Sequence, residues 1–363
     1  TMHEHFDNNS GGRDGRDARH ERQGAGRMYE LEYPAPIQFD RPSIADEPAG
    51  LGVDAGGEEL PMLVALQGYA DAGQAVSSAS SHLLAALEHS PVASFKVDEL
   101  IDYRSRRPGV TIDNSKVVDS DDVRLDLHLV KDTQGRPFLL LSGLEPDLKW
   151  GAFSDAVVDL ARRGQVGMVA SLYSAPMTVP HTRPLVISAH ASDSALIRDY
   201  HTWDSRMIVS GAAALETEKK LNRHGFETIG FTAHVPHYIA ASEYPEATLR
   251  LLRAFGEVAD RELPLKALEK ELEQMQHQLQ DQVEDSQEIA TVVHALEQQY
   301  DAEMERMRRK RENNLLKPGQ DIPTGEELGA EFEAFLQNMS DGDHSADNSD
   351  ASNNTDETEQ EDN

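Results

Sequence analysis

The sequence predicts an α/β fold: a three-layer, mostly parallel sheet with helices on both faces, extended by a C-terminal helical hairpin. Three observations carry the layered core and the hairpin. Between Leu60 and Arg261, apolar runs of strand length alternate with stretches of helix length, the order that builds a parallel sheet covered on both sides. Met62-Leu-Val-Ala-Leu66 leads directly into Gly68-Tyr-Ala-Asp-Ala-Gly73 and then into an Ala-, Ser- and Leu-rich run, which reads as strand, Gly-bounded turn and helix start. Beyond Pro264, apolar residues step by three or four among Glu, Gln and Lys, first from Leu265 to Val283 and again from Ile289 to Met307.

Taken in order, the first 27 residues hold five Arg and five acidic residues and almost nothing apolar, so they are expected to be disordered. Tyr29-Glu-Leu-Glu-Tyr-Pro34 alternates like an edge strand, and residues 40–59 read as a Pro- and Gly-rich loop. After the opening strand, turn and helix, Pro91–Val97 is a second strand, followed by the loop Asp102–Gly109. Val123, Leu125, Leu127 and Leu129 alternate with polar residues, a strand with one wet face. Thr133–Pro137 turns it into the buried strand Phe138–Ser142, a hairpin.

From there strand, loop and helix repeat. Glu145–Trp150 leads to a helix ending near Arg163. Val166–Leu172 is a strand, Ser174–Pro184 a loop and Leu185–Ser188 another strand. The helix Ala212–Arg223 stops at His224-Gly225, a Gly C-cap. Thr228–Ala233 is the last strand and runs into His234-Val-Pro-His-Tyr238. Pro245 starts the closing helix as a first-turn residue. Asp285-Ser286 breaks the helical hairpin, and a short helix is expected at Glu326–Leu336. The chain thus divides into an arm over 1–28, an α/β domain over 29–262, a helical region over 263–338 and an acidic tail over 339–363.

The formal net charge of −31 argues against general nucleic-acid binding, since phosphates would be repelled. Six Asp and three Glu beyond Ser340, with no Lys or Arg, account for 9 of those charges, so the rest of the chain remains strongly acidic. The basic run Arg306–Arg311 sits near a helix C-terminus, where cations complement the dipole. There is no cysteine, which removes disulfides, thiolate metal sites and a Cys nucleophile. No apolar run is long enough for a membrane helix and the N-terminal stretch has no apolar signal-peptide region, so a cytosolic protein is expected. Ser142 and Ser174 lie outside a Gly-x-Ser-x-Gly elbow, and no phosphate-loop or dinucleotide glycine motif occurs.

Right-handed crossovers place the loops that follow parallel strands at one sheet edge. The expected binding edge gathers Tyr69, Asp71 and Gly73; Asp102, Tyr103, Arg104, Arg106 and Arg107; Glu145 and Trp150; His181, Thr182 and Arg183; and His237 and Tyr238. Each has a plainer reading. Asp71 with Gln74 fits a capping box. The three Arg after Asp102 clamp an anion or a partner's carboxylates, or else form internal ion pairs in so acidic a chain. His181 and Arg183 serve as acid–base and anion-binding groups, or pin a Pro-stiffened loop. His234 and His237 have no third ligand nearby, so no metal and no cofactor is expected.

At these loops the chain resembles the proteasome assembly chaperone 2 family in its bacterial, actinobacterial form. The matching stretches are Gly68–Gly73, Asp102–Pro108, Gly143–Asp147 with Trp150, Val179–Pro184 and Val235–Tyr238, spread over nearly all of 29–338. One departure is Tyr69, where the family often carries Trp. The resemblance implies the phosphorylase/hydrolase-like α/β fold with a helical appendage. It also implies kinship with non-catalytic chaperones of proteasome ring assembly, without supplying catalytic residues. The expectation is a protein-binding module with unidentified protein partners, a homo-oligomer touching neither nucleic acid nor membrane. The alternative is an enzyme or sensor that holds an anionic or nucleoside-like molecule at the loop edge.

Overall fold

The structure, a computed structural model, describes residues 28–32, 59–203 and 205–315. The expected disorder of residues 1–27, most of the loop at 40–59, the helix at Glu326–Leu336 and the acidic tail lie outside the described residues. The chain divides into two units after Asp301.

The first unit is built on an eight-stranded sheet. In chain order its strands are β1 (Tyr29–Leu31), β2 (Leu60–Gln67), β3 (His89–Phe95), β6 (Leu125–Lys131), β7 (Pro137–Leu144), β8 (Val166–Met177), β9 (Ile187–Ala191) and β10 (Glu227–Pro236), while β4 (Val110–Asp113) and β5 (Lys116–Ser120) form a separate two-stranded arm. The spatial order is β1-β3-β6-β7-β2-β8-β10-β9. Its centre is parallel, β7 with β2, β2 with β8 and β8 with β10. Antiparallel strands extend it on both sides, through β6 and β3 to β1 and through β10 to β9.

Helices α1 (Ala75–Ala86) and α4 (Pro245–Ala259) cover one face, and α2 (Trp150–Arg163) and α3 (Ala213–Arg223) the other. The period of two in β2 explains the division. Met62, Val64 and Leu66 join one core with Phe153, Val157 and Leu221, while Leu63 and Ala65 join the other with Val76, Leu83, Leu251 and Phe255. The predicted stop at His224-Gly225 is a Schellman turn. Gly225, at φ +87°, donates to Asn222 and Phe226 donates to Leu221.

Several boundaries differ from the sequence reading; the strand expected at Pro91–Val97 spans His89–Phe95, and Val97 opens a one-turn helix instead. β8 and β10 run on to Met177 and Pro236, because Ser174–Met177 pairs with Ala233–Pro236 instead of looping away. The strand expected at Leu185–Ser188 begins at Ile187. The arm β4–β5 was not foreseen.

After α4 come α5 (Lys266–Asp285) and α6 (Gln287–Leu315), broken where predicted. The Ser286 hydroxyl accepts from the Ile289 amide at 3.4 Å and caps α6. The apolar stripe of α5, with Leu268, Leu272, Met275 and Leu279, belongs to the same core as α4, so that stripe is at least partly satisfied by the α/β body. The second unit is described over 302–315, the last turns of α6. Here Arg306 pairs with Glu303, Arg308 with Glu305 and Glu312, and Arg309 with Glu305, a helix laced by its own side chains.

Candidate functional site

The opening loop turns over the carboxyl end of β2 and is held from three sides. A side chain at Gly68 would put its Cβ 2.0 Å from Glu145 Oε2. Glu145, buried just past β7, accepts from the Tyr69 amide at 3.1 Å and from the Ala213 amide at 2.7 Å, joining the loop to the start of α3. Gly73 is buried at φ +66°; its N–H donates to Ala240 at 2.7 Å and its carbonyl accepts from Tyr244 at 2.8 Å. Tyr69 stands outward, 75% exposed.

The capping box expected of Asp71 and Gln74 is not formed. Gly73 and Gln74 are both left-handed, which delays the helix, and the Asp71 carboxylate instead accepts from Val76 at 2.7 Å and Ser77 at 3.4 Å. Asp71 also bridges to Ser174 on the neighbouring strand. Burial raises its pKa above the usual carboxylate value, against the hydrogen bonds from Ser77 and Val76.

The arginine loop is stitched to the same edge. Asp147 accepts from the Asp102 amide and from Arg106, each at 2.9 Å, and Arg106 also reaches the Gln67 carbonyl at 3.2 Å. Arg104 folds onto Asp102, with Nε 3.2 Å from Oδ1. The backbone and side-chain bonds from Arg104 hold the Asp102 carboxyl below its ordinary value. The Tyr103 hydroxyl donates to Asp98 at 2.7 Å, which raises the phenol. Trp150 opens α2 and donates its indole N–H to the Pro146 carbonyl at 2.6 Å. Arg107 is exposed and makes no ion pair among the described residues.

A second cluster surrounds the Pro-rich loop after β8. The Tyr238 hydroxyl accepts from the His181 amide at 2.8 Å and lies 2.6 Å from its Nδ1. Burial lowers the His181 pKa, against the nearby charge of Glu297, and raises that of Tyr238. Thr182 donates to Glu297 at 2.5 Å. Arg183 grips Asp301 with two bonds of 2.8 Å and Glu297 with one of 3.1 Å, and Tyr300 donates to the Pro184 carbonyl at 2.8 Å. Arg183 is thereby raised further above its already high value, first through the hydrogen bond to Asp301.

Glu297, Tyr300 and Asp301 lie on one face of α6, and reading the sequence missed all three. Their spacing of three and four is visible in the chain, but nothing local names Arg183 as their partner. His237 is exposed, edge-on to Tyr238 at 5.5 Å. His234 turns away into the β9–β10 pair, its Nε2 2.9 Å from the Ser188 hydroxyl and its ring stacked on Trp203. Burial lowers its pKa to about 4, helped by His201. Among the described residues no group of three or more His, Asp or Glu is placed to hold a metal, and no helix is long and apolar enough to cross a membrane. A groove of ≈ 550 Å³ opens beside the edge between α1, α4 and α5, touching it through Gln67 and Gln74.

Fold and edge together define an α/β domain whose carboxyl-end loops bind one another, with a C-terminal helix fastened across one of them. Residues 65–283 match the PAC2 family, and the chain belongs to that family. It is similar to a Corynebacterium glutamicum protein of unknown function at 52% identity and a TM-score of 0.70, covering 77% of this chain and 99% of that one. A Mycobacterium tuberculosis protein of unknown function is 42% identical, with a TM-score of 0.72 and coverage of 79% and 92%. A structure described as a Mycobacterium tuberculosis proteasome-assembly chaperone homologue is 26% identical, with a TM-score of 0.60 and coverage of 64% and 100%. Comparison with curated proteins finds no match.

Proposed function

We propose that this chain is a non-catalytic protein-binding module, an assembly-chaperone-like protein or scaffold, working as a homo-oligomer in the cytosol. The observation that carries the reading is how the edge uses its charges. Arg104 and Arg106 are taken by Asp102 and Asp147, and Arg183 by Asp301 and Glu297. A site for an anionic small molecule would leave such cations free to converge. What the edge presents outward is the ring of Tyr69 and the guanidinium of Arg107, side-chain types enriched where proteins meet. Kinship with the proteasome-assembly chaperone homologue supports the same class of role.

The test is a pull-down from native lysate with the full chain and with a Tyr69→Ser, Arg107→Ala double variant. The expected result is a protein retained by the parent chain and lost by the variant. No retained protein, or one indifferent to both substitutions, overturns the reading. A thermal-shift screen with phosphates, nucleosides and carboxylates supplies the contrary result. Stabilisation by roughly 2.7 kcal/mol at about 100-fold excess over Kd would install the small-molecule alternative.

A further inference from the structure

Two segments of the chain expose apolar groups outside the loop edge's hydrogen-bonded pattern. The arm β4–β5 turns at Asn114 and Ser115, both at positive φ, the mirror-image turn that suits a twisted hairpin. Every residue from 109 to 122 is exposed, including Val110, Ile112, Val117 and Val118. A lone two-stranded hairpin is at best marginally stable in water, so such an arm needs something to lie against.

The second segment is residues 205–211, which precede α3. All seven residues are exposed, with Ile208 at 95%. None of their backbone groups is hydrogen-bonded among the described residues. Seven of the fifteen large apolar side chains exposed in the described residues lie in these two segments: four on the arm, and Met207, Ile208 and Val209 here.

The charges also match. Asp113 and Asp119 on the arm have no ion pair among the described residues, and neither does Arg206 in the other segment. At roughly 3.3 Å per residue, seven extended residues offer an edge of about 23 Å, long enough for either arm strand. Within one chain the two segments make no hydrogen bond to each other.

We infer that the arm of one copy adds as strands along residues 205–211 of a second copy, with Ile112 and Val117 covering Ile208 and Asp113 or Asp119 facing Arg206. This rests on the homo-oligomer reading above and names its interface. Because each copy carries both the arm and its acceptor, the contact can be exchanged reciprocally between two copies or passed from copy to copy and closed into a ring.

The test is light scattering on the full chain, an Ile112→Asp, Val117→Asp variant and an Ile208→Asp variant, each checked for folding by circular dichroism. The expected result is an oligomeric parent and monomeric variants. Mixing the two variants should restore a complex, since each keeps the surface the other lost. The chain has no cysteine, so Val117→Cys in one chain and Ile208→Cys in another should cross-link on mixing even if an Asp variant fails to fold. A parent oligomer that neither variant disturbs, or one broken by the arm variant but not restored by mixing, overturns this interface and leaves the homo-oligomer standing. A monomeric parent overturns both.

Discussion

At the carboxyl-end edge of the sheet, the loop residues are fastened to one another: Glu145 holds two amides, Asp147 holds an amide and Arg106, and Arg183 holds two carboxylates. The arm and residues 205–211 are the reverse, with apolar side chains in water and, among the described residues, no backbone hydrogen bond to the domain body. The difference teaches where to look for partners. A surface satisfied internally holds its shape alone and can serve as a rigid platform, whereas one that leaves apolar groups and backbone unpaired is incomplete until another chain covers it.

The sharpest way to break the contrast is Glu145→Ala. It leaves the Ala213 and Tyr69 amides without their acceptor, and at about 1.5–3 kcal/mol per hydrogen bond to a charged group the loss should reach about 3–6 kcal/mol. Urea unfolding of the full chain measures it; Lys116→Ala on the exposed arm should move the same curve by about 0.5 kcal/mol or less. If the two effects are equal, the edge is not the braced element.

Next in size is a pH effect at His234. Its folded pKa, lowered by burial to about 4, lies below the unfolded value of about 6.5. Between those values the unfolded chain binds the extra proton, so stability falls on acidification, by about 3 kcal/mol when complete. His234→Gln should flatten that part of the stability–pH curve relative to the parent. His190 has the opposite sign: burial opposes its charge, but the hydrogen bond and charge of Glu218 outweigh this and raise its pKa. Its contribution is complete below the unfolded value and is lost as pH rises through the folded one. Melting curves of His190→Asn against the parent should converge at high pH.

Smaller again is Arg183→Ala. It should speed amide exchange in α6 around Glu297–Asp301 and in the loop at 181–184, while leaving β2 and β8 protected. The difference should narrow at about 1 M salt, where screening acts over about 3 Å. Smallest is Arg107→Ala, which loses no ion pair among the described residues and should change stability by about 0.5 kcal/mol or less.

Most of the layered core was legible because its signal is local. The alternation in Val123–Leu129, the apolar run of β2 and the Gly stop at 225 each declare themselves within a few residues. What escaped depended on tertiary partners. Pro176 and Pro236 read as loop starters, yet the strands carry them because their ladders are fixed by neighbours. The arm gave no burial pattern, since neither of its faces is covered within the chain, and only Asn114 hinted at a turn. At the edge, crossover handedness gathers the loops that follow parallel strands, but it could not say that Arg183 would be met by a helix more than a hundred residues away. The misreading of Gln74 came from two left-handed residues that the sequence does not announce.

The closeness of Gly68 and Glu145 carries a last consequence. A Cβ at 68 would lie 2.7 Å from the Cβ of residue 145 as well as 2.0 Å from its carboxylate. Shortening Glu145 therefore would not make room, and a side chain at 68 requires residue 145 to relinquish its own. The dependence runs one way: residue 145 can change while Gly68 stays, but no side chain enters at 68 while residue 145 keeps its own and the loop holds its place.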